Sequence, residues 1–198
     1  MTKIIGLTGG IGSGKTTISN FFKAQGIPVY IADAAGKKVM QKTLVLNRIK
    51  AIFGEQVFKN DILDREALAK IVFNEPKKLQ ELNNIVHPAV KEDFENWLQH
   101  NTTEPYVVYE AAILFESNKY LECDTVIAVV APEETRISRV LERDKTTREL
   151  VLKRIQAQWT DAQRAEKSDF VIENIDLSTV KKEIDKILKI LKIKQKEA

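Results

Sequence analysis

The chain carries one cysteine, two histidines and five prolines in 198 residues. A lone thiol closes no disulfide within the chain and cannot build a cysteine-based zinc site. Two separated histidines do not make a histidine-rich metal centre. No run of about 18 apolar residues occurs, so no membrane span is expected. The opening MTKIIGLTGG lacks the long apolar stretch and small-residue cleavage site of a secretory signal, and a reducing cytoplasm is the expected location. Internal repeats and low-complexity linkers are also missing. What remains is ordinary globular material, 43% hydrophobic and 30% charged, which excludes a disordered or fibrous chain. The length suits one domain with room for an insertion.

The net charge of +3 is unevenly placed. Residues 177–198 hold seven lysines against Glu183, Asp185 and Glu197, so the preceding residues are close to neutral. A basic tail suggests nucleic acid. Its apolar residues, Leu177, Val180, Ile184, Ile187, Leu188 and Leu191, recur at spacings of three and four, which instead predicts an amphipathic last helix with a wet lysine face. No nucleic-acid or membrane partner is expected, and the oligomeric state is not readable.

The organisation predicts an α/β fold. Lys3–Thr8 is a buried strand, followed by a glycine loop and a helix ending near Gly26, a C-cap. Pro28–Ala32 reads as a second strand ending at Asp33. Strand, helix, strand in about thirty residues is a βαβ unit and implies a parallel sheet. From residue 34 to 101 only helical patterns are visible. Asp64 is the N-cap of a helix over Arg65–Phe73, and Pro88 interrupts a second helical pattern over Glu75–Gln99. Strands resume at Tyr106–Tyr109 and Thr125–Ala131. Helical segments follow at Glu133–Glu142 and Thr147–Gln158, then a strand at Phe170–Glu173.

The loop Gly9-Gly10-Ile11-Gly12-Ser13-Gly14-Lys15-Thr16 matches G-x-x-x-x-G-K-[ST]. Wrapping a triphosphate needs several backbone N–H groups pointing inward, and side chains would block that approach. The loop opens a helix, whose N-terminal N–H groups and dipole favour anions. Lys15 supplies a cation to the β- and γ-phosphates, and Thr16 a hydroxyl for Mg²⁺. Gly10, Ile11, Gly12, Ser13, Gly14, Lys15, Thr16 and Thr17 are therefore the expected ATP-binding residues. The loop follows an apolar strand and precedes a helix, the context the motif requires.

Asp33-Ala34-Ala35-Gly36 reads D-x-x-G, as GTPase switches do. It lies 17 residues after Thr16, which leaves no room for a switch loop, and N-K-x-D is absent. A motor or transporter ATPase needs a larger body. A small kinase acting on a metabolite fits better. Arg136, Arg139 and Arg143 share one helical face, followed by the polar stretch Asp144–Arg148. Guanidiniums match the equatorial oxygens of a transferring phosphoryl group, so this segment reads either as a lid or as a solvated helix paired with nearby acids. Asp33, at the carboxyl end of its strand, reads as a base for an attacking hydroxyl, a holder of Mg²⁺ through water, or a helix N-cap. Glu110 reads as a metal-binding acid or a plain strand-end acid. His87-Pro88 reads as a helix boundary.

Taken in order, these residues resemble the dephospho-CoA kinase family. The similarity runs through IIGLTGGIGSGKTT, Ala32-Asp33, Ile85-Val86-His87-Pro88, Ile113-Leu114-Phe115-Glu116, Arg139 with Arg143-Asp144, Gln158, and Ser168–Asn174. It covers essentially the whole chain. One departure is Ala112, near which many members carry proline; this bears on backbone shape, not chemistry. The resemblance implies an ATP-dependent kinase that phosphorylates the ribose 3′-hydroxyl of dephospho-CoA, the last step of coenzyme A synthesis. It implies a nucleoside-kinase-like P-loop core over residues 1–198, a helical CoA-binding insertion at about 34–101 and a lid at about 139–160. Asp33, Lys15 and Arg139 are then catalytic, Arg143 and Asn174 contact ATP, and Asp33, His87, Leu114 and Phe115 contact the acceptor. Thr16 and Glu110 are the metal candidates, with ATP and Mg²⁺ as the co-reactants. The alternative is another P-loop metabolite kinase, acting on a nucleotide or a sugar acid.

Overall fold

The computed structural model describes the backbone of residues 1–196, with the side chains of Asn74 and of residues 192–196 outside the description. The lysines of the tail at 192, 194 and 196, and Glu197, therefore lie outside the described side chains. In chain order the elements are β1 (Lys3–Thr8), α1 (Lys15–Ala24), β2 (Val29–Ile31), α2 (Ala32–Val39) and α3 (Thr43–Phe53). A short 3₁₀ turn at Glu55–Val57 leads to β3 (Phe58–Lys59), β4 (Ile62–Leu63), α4 (Arg65–Asn74) and α5 (Pro76–Gln99). Then come β5 (Tyr106–Glu110), a 3₁₀ turn at Lys119–Glu122, β6 (Thr125–Val130), α6 (Glu133–Asp144), α7 (Arg148–Gln156), α8 (Asp161–Lys167), β7 (Phe170–Glu173) and α9 (Leu177–Lys196).

Two compact units result, one of residues 1–30 and 101–198, the other of Ile31–His100. The first is built on a five-stranded sheet of order β2-β5-β1-β6-β7. Its pairings β1–β5, β1–β6 and β6–β7 are all parallel. Parallel strands covered on both faces must be apolar along their length, and all of Tyr106–Glu110 is buried. The core gathers Ile5, Leu7, Ile18, Phe22, Val108, Ile127, Val129 and Ile172 with the inner face of α9. That face carries Val180, Ile184, Ile187, Leu188 and Leu191, as the spacing predicts, whereas Leu177 is exposed. β1 lies at the middle of the sheet, so the loop leaving its carboxyl end sits where open α/β sheets collect ligands.

The second unit packs α5 against α2, α3 and α4 around Val45, Ile49, Phe53, Val57, Leu68 and Ile85. Asp64 caps α4 as expected, its Oδ1 accepting from Glu66 N and Ala67 N at 3.1 Å each. Three expectations fail here. Residues 34–101 are not wholly helical, because β3 and β4 pair as a hairpin through Phe58–Leu63 and Lys59–Ile62. Asn60 and Asp61 both take positive φ, 49° and 60°, the geometry of a tight two-residue hairpin turn. Two-residue strands have no readable period; the Asn-Asp pair was the available signal. Second, Pro88 neither interrupts nor starts a helix but lies inside continuous α5. The missing N–H and ring clash are local penalties, outweighed by packing on either side, where Ile85 and Phe94 are buried. Third, the second strand ends at Ile31 and α2 begins at once. Asp33 is thus in the first turn of a helix, and the N-cap position belongs to Ile31, which excludes the N-cap reading of Asp33.

Candidate phosphate-binding site

The segment Gly9–Gly14 joins β1 to α1, and Gly14 occupies the helix N-cap position with φ 91°. Only glycine fits there without strain, and a β-carbon would collide with Asn174 Nδ2. At Gly12, φ 79°, a β-carbon would strike the Arg136 carbonyl oxygen. The loop is thus close-packed from behind.

The backing is polar and specific. Asn174 Nδ2 donates to the Ser13 carbonyl at 2.8 Å. Arg139 donates to the Asn174 carbonyl at 3.0 Å and reaches the Ser13 carbonyl at 3.5 Å. Arg136 Nε donates to the Ile11 carbonyl at 3.0 Å, and its guanidinium pairs with Asp161 at 3.1 Å. Gln158 accepts from the Ile11 N–H at 2.9 Å. The Ile11 side chain packs on Ile137, Val140 and Val151 of α6 and α7. Lys15 Nζ donates to the Gly9 carbonyl at 2.9 Å, which holds the ammonium over the loop. Ser13 Oγ and Thr8 Oγ1 are buried without a hydrogen bond. Orphaned hydroxyls beside an anion-shaped loop fit a site completed by ligand oxygens.

Thr16, in the first turn of α1, is exposed. Ser19, three residues on and so on the same helix face, donates to Glu110 Oε2 at 2.6 Å. Glu110 is buried at the carboxyl end of β5. The Thr16 hydroxyl at the start of α1 and the Glu110 carboxylate at the end of β5 are oxygen donors of the kind Mg²⁺ takes, keeping several waters and drawing its other oxygens from phosphate. No group of three or more His, Cys, Asp or Glu able to hold a metal occurs among the described residues.

The three arginines of α6 share a face but not an environment. Arg136 is buried beneath the loop, Arg139 is half-buried against it, and Arg143 is exposed and paired with Asp144 at 2.7 Å. Its hydrogen bond to Asp144 holds the Arg143 guanidinium above its usual value and the Asp144 carboxyl below. Leu114 and Phe115 are fully buried, so neither side chain faces solvent for an acceptor to meet. Phe115 stacks on Trp159 with ring centroids 5.2 Å apart. Cys123 lies against Gly6, and burial pushes its thiol up to about 12, which makes it inert. In the Ile31–His100 unit, Asp33 and His87 are exposed on α2 and α5, and desolvation holds the His87 imidazole below its usual value.

Sequence reasoning missed a cluster beside the loop. Arg164 is fully buried, bonded to the Trp159 carbonyl, and paired with Asp161 at 3.3 Å and Glu116 at 3.4 Å. Burial pulls its guanidinium below the usual value against the opposing pull of those acids. The short helix α8 that carries it announces itself only by the capping box of Thr160 and Gln163.

The family model for dephospho-CoA kinase (CoaE) matches residues 3–179. The chain belongs to the dephospho-CoA kinase family. It is 40% identical over 172 residues to the dephospho-CoA kinase of Fusobacterium nucleatum subsp. nucleatum, which covers 86% of this chain and 89% of that protein. The crystal structure of TT1252 from Thermus thermophilus superposes with a TM-score of 0.88 at 33% identity, covering 94% of this chain and 96% of that one. Dephospho-CoA kinase from Campylobacter jejuni superposes with a TM-score of 0.69 at 26% identity, covering 96% of each chain. The kinase family and the parallel-sheet core agree with the α/β P-loop reading of the sequence. No helix among the described residues is long and apolar enough to cross a membrane.

Proposed function

We propose that this protein transfers the γ-phosphoryl group of ATP to the 3′-hydroxyl of the ribose of dephospho-CoA, giving coenzyme A and ADP. Family membership over residues 3–179 carries the reading, and the backed glycine loop supplies its chemistry. The Gly9–Gly14 backbone, Lys15, Thr16 and Thr17 receive the phosphates. Thr16, together with Glu110 through water, would hold Mg²⁺, which neutralises charge on the β- and γ-oxygens when bound. Asp33 accepts the proton of the 3′-hydroxyl as its oxygen bonds to phosphorus and the bridging bond to ADP breaks. Lys15 and Arg139 offset the charge that develops. The segment 139–160 serves as a lid against water, and the Ile31–His100 unit, including His87, binds the CoA moiety. A location in the cytoplasm belongs to this reading.

The test is ATP consumption, coupled to ADP detection, across dephospho-CoA, nucleoside monophosphates, shikimate and gluconate, with the product's phosphate position assigned by phosphorus NMR. The reading expects turnover with dephospho-CoA and a 3′-phosphate. Preferred turnover of any other acceptor overturns it in favour of a different metabolite kinase.

A further inference from the structure

Residues 157–160 join α7 to α8 and carry no residue type suited to phosphoryl transfer. Their geometry is nevertheless fixed on every side. Glu116 Oε1 accepts from the Trp159 N–H at 3.0 Å, and Arg164 donates to the Trp159 carbonyl. The indole lies 6° from parallel to the Phe115 ring, and Lys167 Nζ sits 5.5 Å from its centroid. One residue earlier, Gln158 holds the N–H of Ile11 in the phosphate loop. The Ile11 carbonyl is held by Arg136. Arg136 pairs with Asp161, Asp161 with Arg164, and Arg164 with Glu116. The N–H and C=O of Ile11, in the peptides on either side of its Cα, are therefore held by Gln158 and Arg136, and the chain of charges that starts at Arg136 ends at Glu116 on the backbone of Trp159, next to Gln158.

Stability does not account for this chain. Arg164 is wholly buried, and its Nε and Glu116 Oε2 are buried without a hydrogen bond. Buried ion pairs with orphaned atoms gain little over apolar packing of the same volume. Geometry is what they supply.

We propose that Glu116 and Arg164 are positioning residues for phosphoryl transfer: acting through Trp159 and Gln158, they fix the Ile11 peptide in the conformation that receives the nucleotide's phosphates. The proposal rests on the nucleotide reading of that loop. Lys15→Ala tests the loop reading separately, since full activity in that variant would remove the loop from the reaction.

The experiment is steady-state kinetics of the full chain with ATP and dephospho-CoA varied in turn, alongside thermal melting. Gln158→Ala is expected to raise KM for ATP about fivefold, the value of one neutral hydrogen bond, with KM for dephospho-CoA and melting unchanged. Glu116→Ala should raise KM for ATP similarly while lowering the melting temperature, and Glu116→Gln, which keeps an acceptor for Trp159, should restore most of the KM. The double variant Glu116→Ala/Gln158→Ala should be no worse in KM than the more severe single, because both act on one peptide. Should Glu116→Ala fail to fold, Glu116→Gln takes its place in the cycle. An unchanged KM for ATP in Gln158→Ala, or multiplied effects in the double variant, overturns the proposal. So does a fall in KM for ATP, which would mean that Gln158 competes with phosphate for the Ile11 N–H.

Discussion

Around the phosphate loop, charge is buried and shared among several groups; in the Ile31–His100 unit, charge lies mostly at the surface over an apolar core. Arg136 and Arg164 are 5% and 0% exposed, and the carbonyls of Ile11 and Ser13 are both occupied by side-chain donors. The other unit is filled by Ile49, Val57 and Ile85, while Asp33 and His87 face outward. The difference teaches how each region ties chemistry to stability. At the loop, a buried charge that shapes the backbone cannot be cut without leaving its partner unpaired, so removing Glu116 or Arg164 disturbs both. In the Ile31–His100 unit the two are separable, since a core residue can be cut without touching Asp33, and Asp33 can be altered without touching the core.

The largest effect should come from Lys15, the loop's one residue whose charge serves the transferring group more than the backing. Lys15→Ala is expected to reduce kcat/KM about a thousandfold or more, roughly 4 kcal/mol of transition-state stabilisation. Melting should move little, because the side chain is only part-buried and bonded to a carbonyl of the loop itself. A coupled assay with a parallel melt checks both. An equal loss of stability would place Lys15 among the backing groups.

The mirror experiment lies in the other unit. Asp33→Asn is expected to lower kcat by about 100- to 1000-fold, the lower part of the range of a general base, with ATP affinity by calorimetry changed only a few-fold and melting unaltered. A parallel loss of ATP affinity would assign Asp33 to the metal's water shell. Ile49→Ala should do the reverse. It deletes a fully buried side chain at a cost of about 2–5 kcal/mol, with kcat per folded molecule retained.

Much of this was legible in the sequence because the signals were local and periodic. The strand–loop–helix of Lys3–Ala24, the C-cap near Gly26 and the amphipathic α9 follow from residue order alone. The hairpin at Phe58–Leu63 was not, since four strand residues carry no periodicity and the pairing depends on two left-handed residues. Pro88 misled because its helix-breaking tendency is intrinsic, whereas the packing that overrides it is tertiary. At the site, the loop glycines were readable from motif chemistry, but their backing was not. Arg136, Asp161, Arg164 and Glu116 meet across up to 48 residues of sequence, and no spacing rule reports such a meeting. The shared helical face of Arg136, Arg139 and Arg143 was readable; that it runs from buried to exposed was not.

The buried charges themselves can be broken. Arg164→Met leaves Glu116 and Asp161 without their common partner and is expected to destabilise by about 3–5 kcal/mol. Urea unfolding followed by tryptophan fluorescence suits the measurement, since the Trp159 carbonyl accepts from the lost side chain and its indole stacks on buried Phe115. A change below about 1 kcal/mol would show that solvent or neighbours compensate the acids, and the contrast between the two regions would weaken accordingly.

The smallest effect belongs to the outer end of the same helix. Arg143 is exposed and pairs with Asp144, which also meets Arg154. Exposed pairs contribute about 0–1 kcal/mol, so Arg143→Ala should shift stability by no more than that at neutral pH. The sign with pH is fixed. Arg143 lowers the Asp144 carboxyl below 3.8 in the folded state, so the contribution is fully present above that value and fades as pH falls below it. Wild type should therefore lose slightly more stability than Arg143→Ala between neutral pH and pH about 3. Paired urea titrations at the two pH values check this, and a variant that loses more than wild type on acidification would reverse the assignment. If Arg143 also contacts ATP in the closed lid, its removal should raise KM for ATP while leaving this stability difference small. That combination would show chemistry and stability separating at the exposed end of α6, as they do around Asp33.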